Sequence, residues 1–134
     1  MASSDFVLWL VDDGEANHQA ALATVARFPW VRLEHFYTGS EAVTRFSDIE
    51  AQQGRGPDAV LMDYFLEGER GDQVTAALRQ AEVRSRPVIV GYSSVASGSA
   101  AILAAGGDVV VRKHADARGT NPSLAVWLGG LRQA

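Results

Sequence analysis

The stretch FVLWLVDD (Phe6–Asp13) is an unbroken apolar run that ends in two adjacent acidic residues. Runs rich in Val, Ile and Leu without intervening charge are typical of strands covered on both faces, as in a parallel sheet. Three further runs share this character: AVLM (Ala59–Met62), VIVGY (Val88–Tyr92) and VVV (Val109–Val111). The alternating VRLEHF (Val31–Phe36) instead predicts an edge strand with one exposed face. We therefore expect five strands, with VRLEHF at an edge.

Segments with a helical period lie between the predicted strands. In the first of them, Leu22, Val25 and Ala26 are spaced to share one helix face. The Asn-Pro pair at 121–122 predicts the start of the fifth helix, and Asp72 is predicted to cap the third. Strict alternation of strands and helices favours an α/β domain with right-handed crossovers. The predicted fold is a flavodoxin-like, doubly wound five-stranded parallel sheet in the order 2-1-3-4-5, flanked by five helices.

Length and composition exclude several classes of function. A chain of 134 residues predicts a single domain over 1–134. The net charge of -4 and the scattered arginines argue against direct nucleic-acid binding. The absence of cysteine excludes thiolate catalysis and cysteine-bound metals. Since no run reaches about 18 apolar residues and MASSDF does not resemble a secretion signal, we expect a cytoplasmic protein without membrane contact.

The residues that follow the predicted strands carry the chemistry. Ligands of open parallel sheets bind beyond the carboxyl ends of the strands, near the point where the strand order reverses. The polar residues at these ends are Asp12, Asp13, Asp63, Ser93, Ser94, Arg112 and Lys113. Lys113 is the only lysine among twelve basic residues, and an ammonium is a compact point charge that a guanidinium cannot replace. We therefore expect three carboxylates, a hydroxyl and this lysine to form one site.

Three neighbouring carboxylates repel one another unless a cation neutralises them. Oxygen ligands without Cys or His suit a hard divalent ion, and a half-open site suits Mg²⁺ better than Ca²⁺. The sequence contains neither GxxxxGK[ST] nor GxGxxG, which disfavours nucleotide binding through those motifs. A Mg²⁺ ion, a lysine and a hydroxyl are the groups that stabilise a phosphoryl group in transfer. Asp63, predicted to lie at the end of a central strand, is the candidate nucleophile that would form an aspartyl phosphate.

Four motifs now carry a resemblance to a known family over essentially the whole chain. They are LVDD (10–13), DAVLMDYFLEGERG (58–71), VIVGYSS (88–94) and GGDVVVRK (106–113). Together they resemble the receiver domain of response regulators in bacterial two-component signalling. The resemblance implies that a sensor histidine kinase or a histidine phosphotransfer protein phosphorylates Asp63. It also implies that Asp13, Asp63 and the backbone carbonyl of Phe65 bind Mg²⁺ directly, and that Asp12 acts mostly through water.

The resemblance further assigns Ser93 as the hydroxyl that closes on the phosphoryl group and Lys113 as its partner. The sequence departs from the family pattern at three points. One extra residue after Pro87 makes Ser94 the fallback for Ser93, and Val110 stands where the family has a switching aromatic. His114 follows the lysine where the family has a proline after a cis bond. Because a cis bond before a non-proline residue costs about 3 kcal/mol, we predict a trans peptide between Lys113 and His114.

Two apolar residues bear on the lifetime of the phosphorylated state. In the family, the positions of Phe65 and Val95 help to place the attacking water, and neither side chain can form a hydrogen bond to it. We therefore predict slow hydrolysis of the acyl phosphate. His114 is interpreted as an exposed loop residue, and His18 and His35 as structural.

Three functional hypotheses follow. The first is a phosphoacceptor without a DNA-binding output domain, working as a stand-alone regulator or as a relay intermediate. It would signal to an unknown protein through the face of the fourth helix, fifth strand and fifth helix. Its only catalysis would be its own phosphorylation from small donors and slow dephosphorylation. The second is a pseudo-receiver that binds proteins without being phosphorylated. The third is a hydrolase with an aspartate nucleophile, which MDYFL disfavours because it offers no second acid.

Overall fold

A computed structural model describes residues 5–132 of the chain. The first four residues of MASSDF, the stretch that does not resemble a secretion signal, lie outside them. In chain order, the strands are β1 (Phe6–Val11), β2 (Val31–Phe36), β3 (Ala59–Met62), β4 (Phe65–Leu66), β5 (Glu69–Arg70), β6 (Val88–Gly91) and β7 (Val109–Val110). The helices are α1 (Glu15–Val25), α2 (Gly39–Ala51), α3 (Gly71–Ala81), α4 (Ala96–Ala104) and α5 (Pro122–Leu131). No helix in the described part is long and apolar enough to span a bilayer.

Five of these strands form one parallel sheet in the order β2-β1-β3-β6-β7. This arrangement confirms the predicted doubly wound fold, because the five strands in chain order occupy positions 2-1-3-4-5. The edge position of β2 is also as predicted. The hairpin β4–β5, an antiparallel pair outside the main sheet, was not predicted.

The core consists of one apolar layer on each side of the sheet. On one side, Trp9 and Met62 pack against Phe46 of α2, Leu78 of α3 and Ile102 of α4. The other layer joins the sheet to α1 and α5 through Leu8, Leu10, Leu61, Val25, Leu124 and Leu128. Burial on both faces explains why β1 and β3 read as continuous apolar runs.

The predicted apolar face of α1 is wrong in part. Val25 is buried, but Leu22 is 47% exposed, and Ala26 is exposed as the C-cap residue after the helix. The helix instead turns His18 and Ala21 toward the sheet. The spacing of 18, 21 and 25 follows the helical period equally well, and the small side chain of Ala21 lets the helix lie close to the strands.

The predicted cap of α3 is also wrong. The helix begins at Gly71 with Arg70 as the N-cap residue, so Asp72 already lies in its first turn. The Asp72 carboxylate accepts hydrogen bonds of 3.1 and 3.3 Å from the Arg70 guanidinium. The physical reason is the hairpin, which holds the chain extended up to Arg70 and fixes where the helix starts.

The backbone between residues 5 and 132 contains no cis peptide bond, so the predicted trans bond between Lys113 and His114 is confirmed. Gly68 has a φ of 76°, a left-handed conformation that favours glycine and closes the turn between β4 and β5. The hairpin brings α3 back toward the end of β3.

Candidate functional site

The acidic residues meet at the carboxyl edge of the sheet because β1 and β3 end in register. Val11 pairs with Met62, and the next residues, Asp12 and Asp63, continue beyond the strand ends. The backbone N–H of Asp63 donates a 3.0 Å hydrogen bond to the carbonyl of Val11. Carboxylate oxygens of Asp12, Asp13 and Asp63 all lie within 4.8 Å of one another. The three acids predicted from the strand ends thus form one cluster.

Lys113 follows the edge strand β7 and completes the cluster at the same carboxyl edge of the sheet. Its Nζ lies 2.8 Å from Asp12 Oδ2 and 2.9 Å from Asp63 Oδ1. Its backbone N–H donates a 3.2 Å hydrogen bond to the carbonyl of Ser93, which ties the loop after β7 to the end of β6. The single lysine therefore bridges two acids of the cluster as a point charge.

Asp12 accepts hydrogen bonds from α1 and from the N-cap residue of that helix, Gly14. Its Oδ1 accepts hydrogen bonds of 2.8 Å from the backbone N–H of Gly14 and 2.9 Å from the side-chain amide of Asn17. His18 donates a 2.7 Å hydrogen bond through Nε2 to the Asp12 carbonyl. The roles of Asn17 and His18 at this site were not predicted, although polar residues on the inner face of a half-apolar helix were a usable signal.

Burial and the Asp12 carboxylate raise the pKa of Asp63 above its usual value, although Lys113 and the Tyr64 backbone act in the opposite direction. Burial alone would lower the pKa of Lys113, but the carboxylates of Asp12 and Asp63 outweigh it and raise that pKa. One lysine thus leaves the charge on Asp63 incompletely compensated.

The donor set fits a hard divalent cation. Three carboxylates facing one ammonium leave a formal charge of about two negatives, which a divalent ion would balance. Asp13 is exposed, and its carboxylate has no hydrogen bond or ion pair with any residue between 5 and 132. It is therefore free to bind a metal. Phe65, whose carbonyl is the further predicted ligand, opens β4 two residues after Asp63.

The register of β3 on β6 bears on the choice between Ser93 and Ser94. Met62 pairs with Gly91, so Tyr92 lies beside Asp63 and Ser93 comes one residue further. Ser93 is buried, and its hydroxyl accepts a 3.1 Å hydrogen bond from the backbone N–H of Val95, whereas Ser94 is exposed. The pairing of β6 with β3 is uninterrupted from Val88 to Gly91, so the extra residue displaces Ser93 by one position beyond the strand end. The choice of Ser93 over Ser94 stays a prediction, which the burial of Ser93 favours.

The three positions that the resemblance connects with hydrolysis and switching carry apolar side chains. Phe65 is 58% exposed and Val95 is 42% exposed. Val110, at the position of the family's aromatic, lies on β7 and is 49% exposed. None of these three side chains can donate or accept a hydrogen bond.

None of the three histidines belongs to the group of potential metal ligands that the acidic residues form. His114 is exposed, as predicted. The Nδ1 atoms of His18 and His35 are 2.8 Å apart, and Tyr37 stacks on His18 at 4.0 Å between ring centroids. The hydroxyl of Tyr37 donates a 2.7 Å hydrogen bond to Glu15. The side chains of His18, His35 and Tyr37 thus join α1 to the end of β2, next to the Asp12 carbonyl that His18 contacts.

Comparison with known proteins gives a clear result at the level of fold. The sequence matches no protein-family model, and a search of curated proteins also finds no match. Among solved structures, the receiver domain of the histidine kinase CKI1 from Arabidopsis thaliana, complexed with Mg²⁺ and BeF₃⁻, is similar with a TM-score of 0.75 at 18% identity. That likeness covers 96% of this chain and 90% of the other.

Two bacterial structures agree. A CheY-like response regulator receiver domain from Methylobacillus flagellatus has a TM-score of 0.73 at 19% identity, covering 96% of this chain and all of its own (100%). The response regulator domain of Thermotoga maritima CheB has a TM-score of 0.73 at 18% identity, covering 97% and 96%. This chain therefore has the fold of response regulator receiver domains.

Proposed function

We propose that this chain is a phosphoacceptor switch in which Asp63 receives a phosphoryl group from a phosphohistidine. The donor would be a sensor histidine kinase or a histidine phosphotransfer protein, and the phosphorylated chain would signal by contact with another protein rather than with nucleic acid. We place this exchange in the cytoplasm. The observation that carries the proposal is the pair of contacts from Lys113 to Asp12 and Asp63, with Asp13 in the same cluster.

In the proposed reaction, a carboxylate oxygen of Asp63 attacks the phosphorus atom. The P–N bond to the donor imidazole breaks, and the imidazole nitrogen keeps the electron pair. Lys113 stays within reach of the Asp63 oxygen and offsets the charge of the transferred group. The hydroxyl of Ser93, now an acceptor for Val95, would turn to donate to a phosphoryl oxygen.

Mg²⁺, when bound, would neutralise the negative charge of the phosphoryl group during transfer. Asp13, Asp63 and the carbonyl of Phe65 would bind it directly, with Asp12 acting mostly through water. The hydrogen bonding of Asp12 supports this division, because Gly14 and Asn17 already occupy its Oδ1. The unpartnered Asp13 carboxylate is the more available ligand.

The proposal is tested by incubating the protein with acetyl phosphate and Mg²⁺ and recording the intact mass. We expect one phosphoryl adduct on the native chain, none on Asp63→Asn, and a strongly reduced amount on Asp13→Asn or when EDTA removes the metal. Asp48→Asn, which changes an exposed carboxylate on α2, is the matched control and should be labelled like the native chain.

A folded native protein without an adduct would contradict the proposal. It would favour the pseudo-receiver, which binds proteins without phosphorylation. Turnover of a phosphate ester, with release of inorganic phosphate over many cycles, would favour the hydrolase instead.

A further inference from the structure

A cleft of about 340 Å³ lies beside the acidic cluster, between α4 and β7. It is separate from the acids, none of which lines it. Its walls are formed by Ser93, Ser94, Ala96, Ser99, Val110 and Arg112. Three hydroxyl-bearing residues and one cation thus surround a space with two small apolar walls.

Ser99 is an unusual residue in this cleft. It is 2% exposed, and its hydroxyl has no hydrogen-bond partner in the described part of the chain. A buried hydroxyl without a partner costs about 1–3 kcal/mol. Such a group is a reason to expect a ligand or a bound water next to it.

Arg112 gives the cleft its charge. It is exposed, and its guanidinium forms no hydrogen bond or ion pair with the residues from 5 to 132. In contrast, Arg79 on α3 has ion pairs to Glu82 and Asp108. A guanidinium without a carboxylate partner is free to bind an anion with two parallel hydrogen bonds.

Helix α4 adds a second source of positive potential. It begins at Ala96, and its N-cap residue Val95 has no side chain that could accept hydrogen bonds from the first turn. The first backbone N–H groups of a helix have no partner within the helix and favour negative charge. The cleft therefore combines an unpaired guanidinium, an unsatisfied hydroxyl and an uncapped helix end.

We propose that this cleft binds the carboxylate of a small organic acid, with Arg112 as the main anion-binding residue. A carboxylate matches the planar fork of a guanidinium and can also accept from serine hydroxyls. The apolar part of the acid would lie against Val110 and Ala96. At about 30 Å³ per water, the volume equals that of roughly eleven waters, enough for a compact ring or branched chain.

Binding here would act on the phosphoacceptor site through Ser93, which lines the cleft and also follows the strand beside Asp63. The inference does not depend on phosphorylation, because none of the groups that would hold the acid is an aspartate of the cluster. It gives the chain a second input that the proposed function does not include.

The probe is benzoate, titrated into ¹⁵N-labelled unphosphorylated protein without Mg²⁺ and followed by amide chemical shifts. We expect saturable shifts confined to residues 93–99 and 110–112. Benzamide, which has the same shape without the charge, should bind at least tenfold more weakly. N-acetylphenylalanine and its amide, tested in parallel, distinguish a free acid from the carboxyl terminus of a polypeptide as the source of the carboxylate.

Two variants and one control test the assignment. Arg112→Gln should weaken benzoate binding at least tenfold, and Ser99→Ala should weaken it about threefold. Arg27→Gln removes an exposed arginine just after α1 and should leave the affinity within twofold of the native value. The dispersion of the amide spectrum shows whether each variant is folded.

Equal binding of benzoate and benzamide would overturn the proposal, as would native affinity in folded Arg112→Gln. Inorganic phosphate binding more tightly than benzoate would overturn the carboxylate assignment. These outcomes are independent of labelling by acetyl phosphate, so the failure of one proposal leaves the other intact.

Discussion

The side-chain amide of Asn121 donates a 2.7 Å hydrogen bond to the hydroxyl of Tyr92 and so joins the end of β6 to the start of α5. The same amide donates to the carbonyl of Arg112 at 3.1 Å, and Asn121 Oδ1 caps α5 by accepting from Leu124. Three elements next to the acidic cluster therefore meet at one buried asparagine. Burial raises the pKa of Tyr92 to about 12, so its hydroxyl stays neutral at physiological pH.

Removing the Tyr92 hydroxyl should measurably lower stability. We predict that Tyr92→Phe reduces the free energy of unfolding by about 1 kcal/mol, because Asn121 loses one of its buried partners. Urea unfolding followed by circular dichroism measures the change. Tyr37→Phe, which removes a hydroxyl bonded to Glu15 on the surface, should change the free energy by less than half as much. Equal effects would show that the Tyr92 contact contributes nothing special.

Glu50 predicts a specific loss of stability in acid. It accepts hydrogen bonds from the backbone N–H groups of Arg84, Val83 and Ser85, which lower its pKa from 4.5 to about 2 against the opposing effect of burial. A carboxylate whose pKa is lower in the folded state stabilises the fold above the unfolded pKa. This stabilisation is therefore present above pH 4.5 and is lost as the pH falls toward 2.

Glu50→Gln should accordingly be less stable than the native protein at neutral pH, and the difference should shrink between pH 4.5 and 2. Urea unfolding at a series of pH values measures both free energies. Asp48→Asn, an exposed change on the same helix, is the control and should keep the native loss of unfolding free energy at acid pH. A constant difference between native and Glu50→Gln across this range would contradict the assignment.

Gly71 is required for the close approach of α3 to Asp63. A β-carbon at this position would overlap with the carbonyl oxygen of Asp63. We predict that Gly71→Ala lowers the free energy of unfolding by at least about 2 kcal/mol. The backbone fixes the positions of both the β-carbon and the carbonyl oxygen, so neither can rotate away. Gly130→Ala in α5 meets no atom within 4 Å and should be neutral or stabilising by up to about 1 kcal/mol. Similar effects of both changes in thermal unfolding would refute this account.

The apolar side chains of Phe65 and Val95 predict a long-lived phosphorylated state. Because Phe65 and Val95 cannot position water, the double variant Phe65→Asn, Val95→Glu should hydrolyse its acyl phosphate roughly tenfold faster or more. Loss of the phosphoryl mass after removal of acetyl phosphate gives both rates. A matched double variant, Phe65→Asn with Val83→Glu, places the new acid on a remote exposed valine and tests whether charge alone matters. A native half-life already as short as that of the first variant would contradict the prediction.

The strands and the acidic cluster could be predicted from sequence because both depend on short, local patterns. Apolar runs covered on both faces give β1 and β3 directly, and parallel strands place Asp12 and Asp63 at one edge without knowledge of any other contact. Lys113 stood out because it is the only lysine. Its bridging position then follows from the order of strands.

The features that sequence did not predict depend on contacts between distant segments. The hairpin β4–β5 is only two residues long on each side, too short for a periodic pattern, and only Gly68 marked its turn. The caps of α3 and the inner face of α1 depended on where neighbouring elements begin. Glu50 can be buried because the loop at 83–85 donates three backbone N–H groups to it. No local sequence pattern at either segment predicts these hydrogen bonds.

The measurement that tests the central claim most directly is the chemical location of the phosphoryl group. The labelled protein is reduced with borohydride, which converts an aspartyl phosphate to homoserine, then digested and sequenced by tandem mass spectrometry. We predict homoserine at position 63 and at no other aspartate. Homoserine at Asp12 or Asp13, or an unreduced phosphoryl group on His114, would contradict the assignment of Asp63 as the acceptor.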